Sequence, residues 1–211
     1  TLQKFRAVDK NASIEHEGKS FLIFPNVFWP FEDSKALVQS IVLNPAERVL
    51  DVGTGSGVLA VFAILKGANN VIALDINPAA VENAKANAKL HGFSDLIDVR
   101  LSDMFEALKI NEKFNVVIAN LPFRDKIARD LIEKSMWDTQ LATNRKFFDE
   151  VKNYLQENGR IYFAQSNYGA VDEVLALAES KGFLVRLIGE KKMPNEDVRI
   201  FYAFELTQRK S

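Results

Sequence analysis

A strand-like apolar run that ends in an acid and then turns on three alternating glycines constrains this chain more than any other feature. The run is Val49-Leu50-Asp51-Val52-Gly53-Thr54-Gly55-Ser56-Gly57-Val58-Leu59-Ala60. It reads as strand, tight turn and helix. Glycine permits the backbone conformations such a turn needs, and it lets bare N–H groups at a helix N-terminus come up against a ligand. A nucleotide-like ligand is the expected occupant. A purely structural turn is the other reading of the same residues.

The spacing narrows the ligand. A dinucleotide fingerprint places glycine at the first, third and sixth positions. Counted from Gly53, the sixth position is Val58, and Gly57 comes one step early. Asp51 at the strand's end would repel a phosphate and attract a cation. The combination points to S-adenosylmethionine, with S-adenosylhomocysteine as product, and disfavours a nicotinamide-dependent oxidoreductase.

Composition removes several alternatives. The chain has no cysteine, which excludes disulfides, thiolate metal sites and thiol nucleophiles, and with them cytosine-C5 methylation through a thiolate adduct. Its two histidines, His16 and His91, fall in separate elements without ligand spacing, so no metal is expected and both read as surface residues. Basic and acidic residues nearly cancel, 27 against 28, so a polyanion could be recognised only through a local patch. No apolar segment approaches the ~20 residues of a membrane span and no leader is evident, so a cytoplasmic protein without membrane contacts is expected.

The 211 residues fit one domain, read as an arm and hairpin over 1–33 and a larger unit over 34–211. Thr1 to Asn11 forms an arm with Leu2 and Phe5 as docking points. Ile14–Glu17 and Ser20–Phe24 form a β-hairpin around Gly18-Lys19. Phe28, Trp29 and Phe31 either close over a site as a lid or staple the arm to the core. A helix is expected from Ser34 to Leu43.

Strands and helices then alternate. The expected strands are Arg48–Asp51, Val71–Leu74, Ile97–Leu101, Phe114–Ala119, Arg160–Gln165, Phe183–Gly189 and Val198–Leu206, the last two antiparallel. Helices fall at Val58–Lys66, Ala79–Leu90 behind an Asn77-Pro78 cap, Asn144–Leu155 and Val171–Ser180. A further helix-prone segment runs to about Met136, and Asn158-Gly159 reads as a turn. This alternation predicts an α/β fold, a doubly wound and mainly parallel sheet with helices on both faces. Ligands of such sheets bind at the carboxyl ends of the strands.

Four successive strand ends carry a polar residue that reaches one edge: Asp51, Asp75, Asp103 and Asn120. Asp75 follows Asp51 at roughly the 20-residue offset at which an acid meets a ribose diol. Asp103 can accept the exocyclic amine of adenine while Met104 covers the ring. Each acid alone is also explained as a cap or loop carboxylate. Asn120-Leu121-Pro122-Phe123 lies where a methyl acceptor would sit. A planar nitrogen becomes cationic as it attacks, and the Asn120 side-chain oxygen with the Leu121 carbonyl can accept its hydrogens. Pro122 fixes the backbone, and Phe123 offers a flat face for stacking, or else simply packs inward.

The run Asp51–Gly57, the segment Ala73-Leu74-Asp75-Ile76-Asn77-Pro78, and Asn120-Leu121-Pro122-Phe123 resemble motifs I, II and IV of class I S-adenosylmethionine-dependent methyltransferases. Ser102-Asp103-Met104-Phe105-Glu106-Ala107-Leu108 with Lys113-Phe114 is similar to the HemK-type glutamine methyltransferases and the wider methyltransferase small domain group. Pro30 to Ser34 resembles that group's proline-acid-hydroxyl lead-in. The resemblance implies a seven-stranded Rossmann-like sheet with its last strand antiparallel. Asp51, Gly53, Thr54, Gly55, Gly57, Asp75, Ile76, Asp103, Met104 and Asn120 would hold the cofactor, and Asn120, Leu121, Pro122 and Phe123 would do the chemistry. It also implies methylation of a planar nitrogen, either a protein glutamine amide or an exocyclic amine of guanine or adenine in RNA. Leu121 stands where the motif usually has its first proline, and Arg124 where an aliphatic residue is common.

Two further readings remain open, a catalytically silent cofactor-binding scaffold subunit and an RNA acceptor. Arg124, Lys126, Arg129, Lys134, Arg145 and Lys146 near the expected mouth favour RNA, but Asp125, Asp130, Glu133 and Asp138 dilute them to a small net positive charge. The overall charge balance favours protein.

Overall fold

The largely apolar runs Val49–Val52, Val71–Leu74 and Val116–Ala119 become neighbouring strands of one sheet. The computed structural model describes residues 10–194 and 198–209, and the arm's Leu2 and Phe5 lie outside them. A small antiparallel pair, β1 (Ala12–His16) and β2 (Lys19–Ile23), comes first. Its two-residue turn puts Glu17 and Gly18 at φ 47° and 73°, the left-handed pair that matches the twist of a tight hairpin. Helix α1 (Glu32–Ser40) follows, earlier than the sequence suggests because Asp33 accepts the Phe31 and Ser34 amides at the helix start. The 33/34 boundary therefore falls inside α1.

The rest is β3 (Arg48–Val52), α2 (Val58–Leu65), β4 (Asn70–Asp75), α3 (Pro78–Leu90), β5 (Ile97–Leu101) and β6 (Phe114–Ala119). One helical turn, α4 (Leu131–Lys134), precedes α5 (Ala142–Glu150), β7 (Leu155–Ser166), α6 (Val171–Ser180), β8 (Phe183–Lys192) and β9 (Ile200–Gln208). The sheet order is β5-β4-β3-β6-β7-β9-β8, parallel except for β9, which lies antiparallel between β7 and β8.

Alternate residues of the strands feed two apolar layers. Val49, Val71, Val116 and Ala164 meet α1, α2 and α3, while Leu50, Ile72, Val117 and Phe163 meet α5 and α6. Helix α2 is apolar around its whole circumference and is buried from Val58 to Ile64, as such a sequence requires. The hairpin is bound to α3 by amide side chains. Asn83 and Asn87 accept the Phe24 and Leu22 amides at 2.8 Å, and both donate to the Leu22 carbonyl at 2.8 Å.

Three expectations are corrected. His16 is buried, not at the surface, with Nε2 at 3.3 Å from Ser34 Oγ and its ring against Phe62. Asn158-Gly159 is no turn but part of an irregularity inside β7, where the pairing shifts between Phe114 and Val116. The segment before Met136 supplies one helical turn because its polar side chains take the backbone amides for themselves: Asp130 accepts Glu133 N, Glu133 accepts Arg129 N and Asp125 accepts Gln140 N. Among the described residues no helix is long and apolar enough to cross a membrane.

Candidate active site

Strand order reverses between β3 and β6, the position at which open α/β sheets leave a crevice beyond their strand ends. A cavity of about 360 Å³ occupies it. Gly53, Thr54, Gly55, Asp75, Ile76, Asp103, Met104, Asn120, Leu121 and Pro122 line it, so three of the four expected strand ends, Asp75, Asp103 and Asn120, converge on it. Asp51, Gly57 and Phe123 are not among the lining residues.

The glycine turn owes its shape to β4. Gly53 and Thr54 donate to the Leu74 carbonyl at 2.8 and 2.9 Å, and Gly55 donates to Asp75 Oδ2 at 2.8 Å. Gly55 has φ +56°, and a Cβ added there would meet open space, so its backbone faces the cavity. Gly57 does different work. At φ +80° it caps α2 against Ala84 of α3, where a Cβ would come within 2.9 Å of the Ala84 Cα.

Asp51 is fully buried, and its Oδ2 accepts the Thr54 hydroxyl at 2.6 Å while Oδ1 has no partner. Burial, aided by the Asp75 charge and opposed by the Thr54 bond, pushes its carboxyl up to about 7. Asp75 is also held above the usual carboxylate range by burial, although Asn77 and Gly55 amides bind its two oxygens. An orphaned buried carboxylate oxygen, an open glycine turn and an acid at the diol position fit a cofactor that joins a cation to a nucleoside. At the far side Asp103 is half-exposed and pairs with Lys146 of α5 at 3.2 Å, and Lys146 also reaches Glu106 at 3.1 Å. Among the described residues no cluster of acids and histidines could hold a metal ion.

On the acceptor side the Asn120 side chain donates through Nδ2 to Asp33 Oδ2 at 3.0 Å. Asp33 is fully buried, and burial raises its carboxyl while the Asn120 bond opposes the rise. Asp33 stood in the sequence only as part of an acidic lead-in, 87 residues from its partner. Its signal was the Pro30–Ser34 resemblance alone. Phe28 and Pro30 line the cavity while Phe28 packs edge-on against Phe31 at 5.7 Å, so this segment both staples and lines. Trp137 lines the opposite wall, with the Lys126 ammonium 3.9 Å from its ring centroid.

Phe123 is placed otherwise than a stacking face requires. It is buried, with its ring edge-on to Tyr168 at 5.4 Å and to Phe201 at 6.4 Å. An apolar layer was waiting on that side, and the inward alternative holds.

Residues 35–134 match the family described as ribosomal protein L11 methyltransferase (PrmA). The putative protein N5-glutamine methyltransferase MJ0928 of Methanocaldococcus jannaschii is 31% identical over 200 residues, 92% of this chain and 99% of that protein. The release factor glutamine methyltransferase of Cereibacter sphaeroides is 31% identical over 128 residues, and the match spans 59% of this chain but only 45% of that enzyme. Among solved structures, the T. Thermophilus 16S rRNA N2 G1207 methyltransferase (RsmC) in complex with AdoMet and guanosine has TM-score 0.70 at 19% identity, over 95% of this chain and 50% of that one, a likeness of fold. Matched along nearly the whole of the archaeal protein, the chain belongs to that protein's family within the class I methyltransferases and is an S-adenosylmethionine-dependent methyltransferase.

Proposed function

We propose that this chain transfers the methyl group of S-adenosylmethionine to the side-chain amide nitrogen of a glutamine in a protein. The observation that carries the reading is the bond from Asn120 Nδ2 to the buried Asp33. It commits the amine end of the Asn120 amide and leaves Oδ1 as its free acceptor, on a residue that lines the cavity beside Leu121 and Pro122.

An amide nitrogen is a poor nucleophile because its lone pair is delocalised, and it gains positive charge as it attacks. In this reading Asn120 Oδ1 and the Leu121 carbonyl accept its two hydrogens and stabilise that charge where it develops. The bound cofactor supplies an electrophilic methyl group on a sulfonium, whose carbon–sulfur bond breaks as the nitrogen–carbon bond forms while a proton leaves the nitrogen for solvent. Asp75 takes the ribose hydroxyls, Asp103 the adenine amine beside Met104, and Asp51 the positive methionyl end. Gly53, Thr54, Gly55 and Ile76 shape the floor, with Gly57 behind them. Residues 1–33 then form the lead-in that completes the acceptor side, and 34–211 the transferase domain.

A protein acceptor is supported by the fate of the basic residues near the mouth. Lys146 is paired with Asp103 and Glu106, Lys126 lies over Trp137, Arg124 lies over Tyr168 and Arg145 donates to the Gln140 carbonyl. Four of the six basic residues near the mouth thus have protein partners, although Arg124, Lys126 and Arg145 remain exposed.

The test is tritiated methyl transfer from S-adenosylmethionine into fractionated cell extract. Label is expected in protein and should be released as methylamine on amide hydrolysis. Label retained on nucleobases would overturn the protein reading in favour of RNA. Asn120→Ala is expected to lower transfer by about 100- to 1000-fold, with S-adenosylhomocysteine affinity little changed, and retained turnover would remove Asn120 from its role.

A further inference from the structure

Asn144 is fully buried on α5 and does not line the cavity. Its Nδ2 nevertheless donates to the Pro122 carbonyl at 2.9 Å and to Asp138 Oδ2 at 2.7 Å. Asp138 is itself buried, and its two oxygens also accept the Thr143 and Asn144 backbone amides at 2.8 and 3.0 Å. A carboxylate so placed fixes which end of the Asn144 amide faces Pro122, since the reversed amide would set oxygen against oxygen.

The arrangement has a cost. Among the described residues Asn144 Oδ1 is buried without a partner. The amide is nevertheless what allows one side chain to donate to Pro122 and Asp138 together. The neighbouring carbonyls point to what the first of these bonds does. The Phe123 carbonyl accepts Ala170 N at 2.9 Å, and Gly169 leaves no room for a Cβ beside it. The Arg124 carbonyl accepts Asp138 N at 2.8 Å. Three consecutive carbonyls, from Pro122 to Arg124, are thus tied down, by Asn144, Ala170 and Asp138 in turn. Among the described residues the carbonyl of Leu121, itself a cavity-lining residue, carries no such bond.

We propose that Asn144, oriented by Asp138, is a positioning residue for methyl transfer. It pins the Pro122 carbonyl and so presents the Leu121 carbonyl and the Asn120 side chain to the acceptor nitrogen. The proposal rests on the roles given above to Asn120 and Leu121.

The test compares the tritiated transfer rate into extract protein at saturating cofactor, S-adenosylhomocysteine affinity by calorimetry, and amide hydrogen exchange over residues 119–124. Asn144→Asp keeps the shape but sets an acceptor against both Pro122 and Asp138. Its rate should fall by about 100-fold, the scale at which ångström misplacements act, with affinity within about threefold and faster exchange at 119–124. Phe148→Leu, in the apolar layer of the same helix, should lower the melting temperature while leaving the rate per folded molecule within about threefold. The double swap D138N/N144D restores an amide–carboxylate pair without a donor for Pro122 and with one acceptor fewer for the Thr143 and residue-144 backbone amides, so it should regain part of the melting temperature but not the rate. It also serves if the single variant does not fold. Should Asn144→Asp or the swap keep the wild-type rate while Asn120→Ala abolishes transfer, the proposal falls and the reading of Asn120 stands. A parallel loss of rate and melting temperature in Asn144→Asp and Phe148→Leu would reduce Asn144 to a structural residue, which also overturns the proposal.

Discussion

If Asp51 takes the methionyl end of the cofactor as proposed above, its carboxyl, pushed up to about 7, makes binding a proton-coupled event. Asp51 has been pushed up to about 7 by burial, so the ligand-free protein holds its proton below that pH. A cationic ligand favours the ionised form and must displace the proton. Affinity for S-adenosylmethionine is therefore expected to rise by up to about tenfold per pH unit toward pH 7 and then level off. Calorimetry at pH 6 in buffers of different ionisation enthalpy should register proton release. For the ligand-free fold the sign is opposite. With its folded value above the ordinary carboxylate range, Asp51 contributes stability that is fully present below that range and is lost as pH rises through 7. The acid itself stood out in the sequence, since it closes an apolar strand, but its orphaned oxygen did not, because burial depends on helices that arrive later in the chain.

Between elements, a close backbone approach is made by Gly57, where the N-terminus of α2 meets α3. Gly57→Ala combines a left-handed backbone with a Cβ driven into the Ala84 main chain. A loss of about 2 kcal/mol or more is expected, read by urea unfolding, together with weaker S-adenosylhomocysteine binding as the turn shifts. Strands β3, β4 and β6 were legible to within a residue or two because parallel strands buried on both faces read as largely apolar runs, and the edge strand β5 because its residues alternate between apolar and polar. Helix α3 was equally plain from its cap, since Asn77 accepts the Ala79 amide. The stretch from 124 to 141 was not. Its pattern of charges suits a helix, yet its Asp, Glu and Thr side chains bind local amides, and Gln140 and Leu141 adopt left-handed backbone angles. The same local bonding hid Asp138 and Asn144, whose importance lies in partners fixed only when α5 meets the loop after β6.

Across the whole molecule, one ion pair joins chain regions more than a hundred residues apart. Arg160 of β7 grips Glu47 through both oxygens, at 2.7 and 2.9 Å, and also donates to the Val42 carbonyl at 2.7 Å. The Arg160 hydrogen bonds hold the Glu47 carboxyl down at about 2. Glu47→Gln should cost about 2 kcal/mol at pH 7, less than a fully buried pair because both side chains keep some contact with water. That contribution is present above the ordinary glutamate value and is lost as pH falls toward 2. Wild type and variant should therefore approach each other in urea unfolding as the pH is taken down to about 2, and a difference as large there as at pH 7 would show that the pair is not its source. The bond between Asp33 and Asn120 spans the chain in a similar way but has a different bearing. The residues proposed to hold the nucleoside lie at the carboxyl ends of β3, β4 and β5, whereas the orientation of the reactive amide is lent by a stretch that precedes the sheet. Holding the methyl donor and spending it can thus drift apart under mutation, and a descendant altered only in that stretch could persist as a pseudoenzyme with an intact nucleoside groove.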